Sequence, residues 1–196
     1  FAVDGSTIQV PKTKKNEDTF GLCRNQHHTR ADAMAQISIL YDLLEDILID
    51  GAIQKYHYAE RKMALEHLKY MEATGLSSNA VLLFDRGYPS YDFYRHISEH
   101  GYFYVMRVQE QIKNITQLEK NDTITEYVPS YRKTEPPVKI RVIHVILDDG
   151  TDECLVTNLF DPSITVDMFK GLYFLRWGIE SKYNELKNQL EVEEFN

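Results

Sequence analysis

The sequence contains little cysteine and no long apolar run. Its only two cysteines among 196 residues, Cys23 and Cys154, lie far apart and form no CxxC pair. This spacing excludes a disulfide framework and a cysteine-rich zinc site, and it fits a reducing cytoplasm. No apolar stretch reaches the roughly 20 residues of a membrane-spanning helix. The opening FAVDGSTIQVP has neither the basic start nor the small-residue cleavage site of a signal peptide.

The sequence also lacks an excess of positive charge. Its 22 Lys and Arg are outnumbered by 30 Asp and Glu, which gives a net charge of -8. This balance argues against a simple basic nucleic-acid-binding module. It is compatible with a nuclease-type core, in which carboxylates hold metal ions that bridge to phosphate. Because the chain does not open with Met and closes on the charged LKNQLEVEEFN, we expect a piece of a longer protein whose other parts carry the basic surface.

Hydrophobic patterning predicts strands and helices that alternate along the first half of the chain. We predict strands at residues 1–10, 81–84 and 102–108, two antiparallel strands within 33–54, and helices at 57–74 and 90–100. The Asp50 and Gly51 dipeptide predicts a turn. Gly75 and Gly101 follow the two helices as C-caps. This order favours an α/β fold.

The pattern changes after residue 108. Three β-like segments follow, ITEYV, VKIRVIHVIL and ECLVTNLF, with a hairpin turn expected at Asp149 and Gly150. From Ser163 or Thr165 onward we predict one long helix capped by Thr or Asp. The predicted division is therefore a first core part at 1–108, a β-rich insertion at 109–162, and a helix at 163–196 that completes the core.

Two acids lie in or beside apolar strands. Asp4 interrupts the strand AVDGST, and Asp85 directly follows VLLF. Burial of an unpaired ionised carboxylate is costly, and functional groups collect at the carboxyl ends of strands in α/β sheets. Taken alone, each acid also has an ordinary explanation: Asp4 bonds the next turn, and Asp85 caps a turn or pairs with Arg86.

The last predicted helix carries four polar residues in register. Tyr173, Arg176, Glu180 and Lys187 are spaced by 3, 4 and 7 residues. At about 100° per residue they fall within roughly 60° of one another on a continuous helix. One tyrosine, two cations and one acid make a poor core face and a good phosphate-binding face. The alternative is a solvated, salt-bridged helix, and we expect the neighbouring Trp177 to belong to the core.

Together these residues resemble the DDE transposases of bacterial insertion sequences. Tyr173, Arg176, Glu180 and Lys187 match the Y-x2-R-x3-E-x6-K signature of one branch, and Asp85, Arg86, Gly87 and Tyr88 resemble the second motif of the family. The resemblance implies a ribonuclease H-like fold: a mixed five-stranded sheet with flanking helices and a β-rich insertion before the last catalytic helix. It also implies that Asp4, Asp85 and Glu180 are catalytic and bind Mg²⁺ or Mn²⁺, as two ions. Tyr173, Arg176 and Lys187 would hold DNA phosphates.

The implied activity is metal-dependent cleavage at transposon ends and strand transfer into target DNA. It would take place in the bacterial cytoplasm at the nucleoid, with the full-length protein acting as a dimer on paired ends. Two alternatives stay open: a non-catalytic nucleic-acid or protein interaction module descended from such a core, and a different ribonuclease H-like metallonuclease. Three intact carboxylates argue against the first alternative, and the Tyr-Arg-Glu-Lys helix argues against the second.

Overall fold

The computed structural model describes residues 1–23, 31–76, 79–118 and 121–189. The strands in these ranges are β1 (Ala2–Gln9), β2 (Leu22–Cys23), β3 (Asp32–Asp42), β4 (Ile47–Lys55), β5 (Val81–Phe84), β6 (Phe103–Arg107), β7 (Asp122–Tyr127), β8 (Val138–Ile146) and β9 (Asp152–Thr157). The α-helices are α1 (Lys14–Phe20), α2 (Glu60–Thr74), α3 (Tyr91–Glu99), α4 (Lys113–Thr116), α5 (Val166–Phe174) and α6 (Trp177–Asn184). A 3₁₀ turn spans Ser130–Arg132, and a π-helical segment, Glu185–Gln189, follows α6.

The chain forms two compact units. The first unit contains Phe1 and Met71–Arg176, and the second contains Ala2–Tyr70 and Trp177–Asn196. One boundary therefore lies inside α2 and the other lies between α5 and α6. The division into 1–108, 109–162 and 163–196 remains a prediction from the sequence.

In the second unit, β3 is the central strand. It pairs antiparallel with β1, from Ala2↔Tyr41 to Gln9↔Met34. It also pairs antiparallel with β4 and, at its start, with the short β2. Consecutive residues are buried in both strands, Ala2 and Val3 in β1 and Ile39, Leu40 and Tyr41 in β3, so both faces of the sheet are covered at this end. The strand predicted at residues 1–10 and the antiparallel strand pair within 33–54 are confirmed.

The turn predicted at Asp50 and Gly51 is wrong. Both residues lie inside β4, where Gly51 pairs with Ile39. The chain turns earlier, because Asp42 Oδ1 accepts the N–H groups of Leu44 at 2.9 Å and Glu45 at 3.2 Å. A side-chain cap of this kind closes a turn without glycine.

In the first unit, the strand order is β5, β6, β9, β8, β7. β5 and β6 are parallel and joined through α3, and the remaining pairs are antiparallel. Ser90 caps α3 by accepting the N–H of Phe93 at 3.3 Å. The predicted hairpin turn between β8 and β9 is confirmed, with Gly150 at φ +85°. The β-rich segment thus extends the sheet of this unit beyond β6.

The single long helix predicted from residue 163 or 165 is wrong. Thr165 does cap α5, accepting the N–H of Met168 at 3.4 Å, but α5 ends at Phe174. The N–H groups of Leu175 and Arg176 then bond back three residues, at 3.3 Å and 3.0 Å. Two turn residues therefore separate α5 from α6, so residues 165–187 do not form one uninterrupted helix.

Two further findings concern exposed apolar surface and membrane spans. Trp177 is 54% exposed, so the expectation of a core tryptophan is wrong. Across the described parts of the chain, no helix combines the length and the apolarity that crossing a bilayer requires.

Candidate active site

Asp85 lies at the carboxyl end of β5, where it meets Arg107 at the end of β6. The parallel register pairs Phe84 with Met106, so the next residue of each strand emerges at the same edge. The Arg107 Nε and Nη2 atoms lie 2.8 Å and 2.7 Å from Asp85 Oδ1. The Asp85 side chain keeps 27% of its surface exposed. Asp85 is therefore a carboxylate that is paired with an arginine and still accessible to solvent.

Arg107 also holds a second acid. Its Nη1 donates to Glu153 Oε1 at 2.6 Å, and Glu153 comes from β9. Burial opposes the charged form of Arg107, but the hydrogen bond to Glu153 and the charges around it raise the pKa of the guanidinium above its usual value. Arg107 thus connects Asp85, which follows β5, to Glu153 on β9.

Tyr173 and Arg176 complete the surroundings of Asp85. The Tyr173 hydroxyl lies 3.4 Å from the Phe84 carbonyl oxygen and 3.4 Å from Asp85 Oδ1. The Arg176 guanidinium carbon lies 5.5 Å from the centroid of the Tyr173 ring. Both side chains are buried, with exposures of 5% for Tyr173 and 2% for Arg176. Burial raises the pKa of Tyr173, so its hydroxyl remains a donor at neutral pH.

These neighbours keep Asp85 ionised. Burial alone would raise the pKa of Asp85, but the backbone N–H of Arg86 and the positive charges of Arg107 and Arg176 outweigh it and hold the pKa below its ordinary value. The contacts from Arg107 and Tyr173 both fall on Oδ1. A carboxylate held in place in this way is suited to ligating a hard cation.

In the second unit, Asp4 lies on β1. Its Oδ1 accepts the N–H of Gly5 at 2.9 Å. Its backbone carbonyl receives two hydroxyl groups, Ser38 at 3.0 Å from β3 and Tyr183 at 2.6 Å from α6. The strand, its neighbour β3 and the helix thus meet at the backbone of this one residue.

Glu180 lies on α6, three residues before Tyr183. Lys187, in the π-helical segment, contacts Ser6 Oγ at 2.9 Å and the Thr7 carbonyl at 2.8 Å, so it too faces β1. Residues three apart on a helix share a face. Glu180 therefore lies on the side of α6 that Tyr183 fixes against the strand carrying Asp4.

The predicted site residues thus fall into two groups. Asp85, Tyr173 and Arg176 gather in the first unit, and Asp4, Glu180 and Lys187 gather in the second. Over residues 1–23, 31–76, 79–118 and 121–189, no group of three or more His, Cys, Asp or Glu side chains forms a ready metal cluster. The metal-binding and phosphate-binding roles of the six residues remain predictions.

Sequence reasoning missed several residues that contact the predicted ones. Arg107 could have been found, because it is the last residue of β6, the strand that comes after β5 and Asp85 in the sequence. Glu153 and Ser38 gave no such sign, since each contacts its partner through pairing that is distant in sequence. Tyr183 flanks the polar residues of the last predicted helix, but its contact with Asp4 is equally distant in sequence.

The architecture defines the class of protein. A ribonuclease H-like fold combines an antiparallel group of strands, a parallel strand pair and a later helix that carries an acidic residue. In this protein these parts are β1, β3 and β4, then β5 and β6, and then α6 with Glu180. A cryo-EM structure of a piggyBac transposase synaptic complex with hairpin DNA shares this fold, with a TM-score of 0.52 and 10% identity. The similarity covers 100% of this chain and 41% of that chain.

The family follows from the sequence as a whole. The model of the transposase DDE domain matches residues 1–196, and the chain belongs to this family. Its members generally use divalent metal ions. No curated protein matches the chain.

Proposed function

We propose that this chain is the catalytic core of a DNA transposase that cleaves DNA at transposon ends and transfers the cut strand into target DNA. The observation that carries the proposal is the Asp85 carboxylate, which pairs with Arg107 at a strand end in a chain of the transposase DDE family. A carboxylate that arginine holds in place at a strand end is suited to ligating the metal ions of phosphoryl transfer.

Asp4, Asp85 and Glu180 are proposed to hold two Mg²⁺ or Mn²⁺ ions. Hard cations take oxygen ligands and retain several waters, so a few carboxylates suffice. When bound, such ions supply a more nucleophilic water or hydroxyl and neutralise charge on the phosphate. The N–H of Gly5 on Asp4 Oδ1 supports a fixed orientation of that carboxylate.

The remaining polar residues are proposed to orient the acids and the DNA. Arg107 holds Asp85 by Oδ1, and Tyr173 donates to the same oxygen. Tyr173, Arg176 and Lys187 would contact phosphates near the cleaved end. Because Tyr173 and Arg176 are buried, this contact requires their side chains to become accessible when DNA binds. Lys187 would exchange its contacts with Ser6 and Thr7 for a phosphate oxygen, which suits a flexible point charge.

The proposed partners are transposon-end DNA and target DNA. We place the protein with the YREK branch of insertion-sequence transposases, acting at the bacterial nucleoid as a dimer on paired ends. The acidic balance of this chain, with its net charge of -8, supports a division of labour in which other parts of the protein supply the basic DNA-binding surface.

The test is a nicking assay on supercoiled plasmid with the full-length protein in Mg²⁺ or Mn²⁺. Glu180→Gln, Asp85→Asn and Asp4→Asn should each remove metal-dependent nicking. Asp92→Asn and Glu185→Gln are matched controls. Asp92 is exposed and pairs with Arg132, and Glu185 is partly exposed and pairs with Lys182. Both controls should cleave like the wild type.

Product analysis distinguishes the proposal from its competitors. Joined strand-transfer products or hairpins support a transposase, whereas simple nicks alone point to a different metallonuclease. Nicking that survives all three substitutions would refute the proposed site.

A further inference from the structure

A hydrogen-bonded network of polar side chains leads from Asp50 through His67 and Ser38 to the Asp4 carbonyl in the second unit. Asp50 Oδ2 lies 2.7 Å from His67 Nδ1, and His67 Nε2 lies 3.1 Å from Ser38 Oγ. Ser38 in turn contacts the Asp4 carbonyl at 3.0 Å. His67 and Ser38 are both 0% exposed. Burying a polar group without a hydrogen bond is costly, so these hydrogen bonds stabilise Ser38 and His67 in the core.

The donor and the acceptor of the hydrogen bonds from His67 to Ser38 and from Ser38 to Asp4 follow from the chemistry of the carbonyl group. A carbonyl oxygen only accepts, so the single hydrogen of the Ser38 hydroxyl points to Asp4. Ser38 Oγ must then accept from His67, and Nε2 carries a hydrogen. Each bond from His67 onward therefore donates toward Asp4.

This arrangement contains the residue types of a hydrolase triad but is not one. A nucleophilic serine needs access to substrate and a neighbouring histidine that accepts its proton. Ser38 has no exposed surface, and its proton is already directed to the carbonyl of Asp4. The network is suited to holding a backbone group in place.

The backbone group it holds controls the Asp4 side chain. The carbonyl of Asp4 and the N–H of Gly5 belong to one planar peptide unit. Ser38 and Tyr183 fix the carbonyl end of that plane, and the N–H end donates to Asp4 Oδ1 at 2.9 Å. A rotation of the peptide would therefore move the donor that orients the carboxylate.

We propose that Ser38, His67 and Tyr183 are positioning residues that lock the Asp4–Gly5 peptide and, through its N–H, orient the Asp4 carboxylate for a metal ion. Tyr183 also couples that carboxylate to the helix carrying Glu180. The inference rests on the proposed metal-binding role of Asp4. None of these three side chains needs to touch metal or DNA.

The experiment measures Mn²⁺ binding to the full-length protein by the EPR signal of free Mn²⁺. Ser38→Ala and Tyr183→Phe should each weaken Mn²⁺ binding by about tenfold, as losses of outer-shell partners commonly do. In the nicking assay both variants should need more Mn²⁺ for half-maximal rate and approach the wild-type rate at saturating Mn²⁺. Tyr183→Phe keeps the ring, so it tests the proposal even if Ser38→Ala folds poorly.

Thr157→Val is the matched control. Thr157 is also 0% exposed and donates its hydroxyl to a backbone carbonyl, that of Tyr104. This variant should lower the melting temperature about as Ser38→Ala does while leaving Mn²⁺ affinity unchanged. Equal Mn²⁺ affinity in Ser38→Ala, Tyr183→Phe and the wild type would overturn the inference.

Asp4→Asn separates this inference from the proposed function. If Asp4→Asn weakens Mn²⁺ binding but the Ser38 and Tyr183 variants do not, the metal site stands and the positioning role fails. If Asp4→Asn binds Mn²⁺ like the wild type, the metal role of Asp4 fails and the positioning role fails with it.

Discussion

Replacement of Arg107 by methionine should destabilise the protein in a pH-dependent way. Methionine keeps the apolar stem of the side chain but removes the charge between Asp85 and Glu153. The side chains of Arg107, Asp85 and Glu153 keep 24%, 27% and 15% of their surface exposed. The pairs are therefore less screened than surface pairs, which contribute about 0–1 kcal/mol, and less buried than pairs whose rupture costs about 3–5 kcal/mol.

An intermediate cost of about 2 kcal/mol is expected at neutral pH. For a chain of this size, that corresponds to a melting temperature lower by roughly 4–8 °C. The pKa of Asp85 is depressed in the folded protein, so its stabilising contribution is complete above the unfolded-state pKa of about 3.9. The contribution is lost as the pH falls through the depressed folded-state pKa. The difference between wild type and variant should therefore narrow below about pH 4.

The assay is thermal unfolding followed by circular dichroism at neutral and at acidic pH. Arg95→Met is the matched control, because Arg95 forms an exposed pair with Glu99 on α3. The control should lose measurably less stability than Arg107→Met. An Arg107→Met melting curve that overlays the wild type, or a loss of equal size at both pH values, would show that the Asp85 pairing is not stabilising.

Two further predictions concern the same unit. Arg141→Met should lower stability by about 3 kcal/mol, because the buried Arg141 guanidinium bonds Asp122 and the carbonyls of Leu159, Asp161 and Ile164, and its loss leaves these acceptors without their donor; a melting shift no larger than that of Arg107→Met would contradict this. The Cys154 thiol should resist iodoacetamide at pH 8 until the protein unfolds, because burial raises its pKa to about 12; rapid labelling by mass spectrometry would show that the thiol is accessible.

The strands were predictable because their signal is local. Alternation and apolar runs fixed β1, β5 and β6, and the position of Asp85 after VLLF followed from β5 alone. The prediction of a turn at Asp50 and Gly51 is wrong because strand pairing overrides the turn preference of this dipeptide. The side chain of Asp42 closed the turn earlier, and Gly51 was left to pair within β4.

The helix break and the partners of the acids could not be predicted for a different reason. No proline lies between residues 165 and 187, and the break falls at Leu175 and Arg176 rather than at Gly171 or Gly178. Arg176 is almost fully buried there, which is a tertiary property that local propensity does not express. Likewise Glu153 is 46 residues from Arg107 and Ser38 is 34 residues from Asp4.

The pairing of β9 with β6 has a consequence for dissecting the molecule. Without β9, the apolar strand containing Tyr104, Val105 and Met106 would present one row of unpaired backbone N–H and C=O groups to solvent. An exposed apolar edge of this kind recruits strands from other molecules. A shortened protein lacking residues 109–162 would therefore be prone to aggregate. By pairing with β6, β9 protects the edge of the parallel strand pair from such contacts.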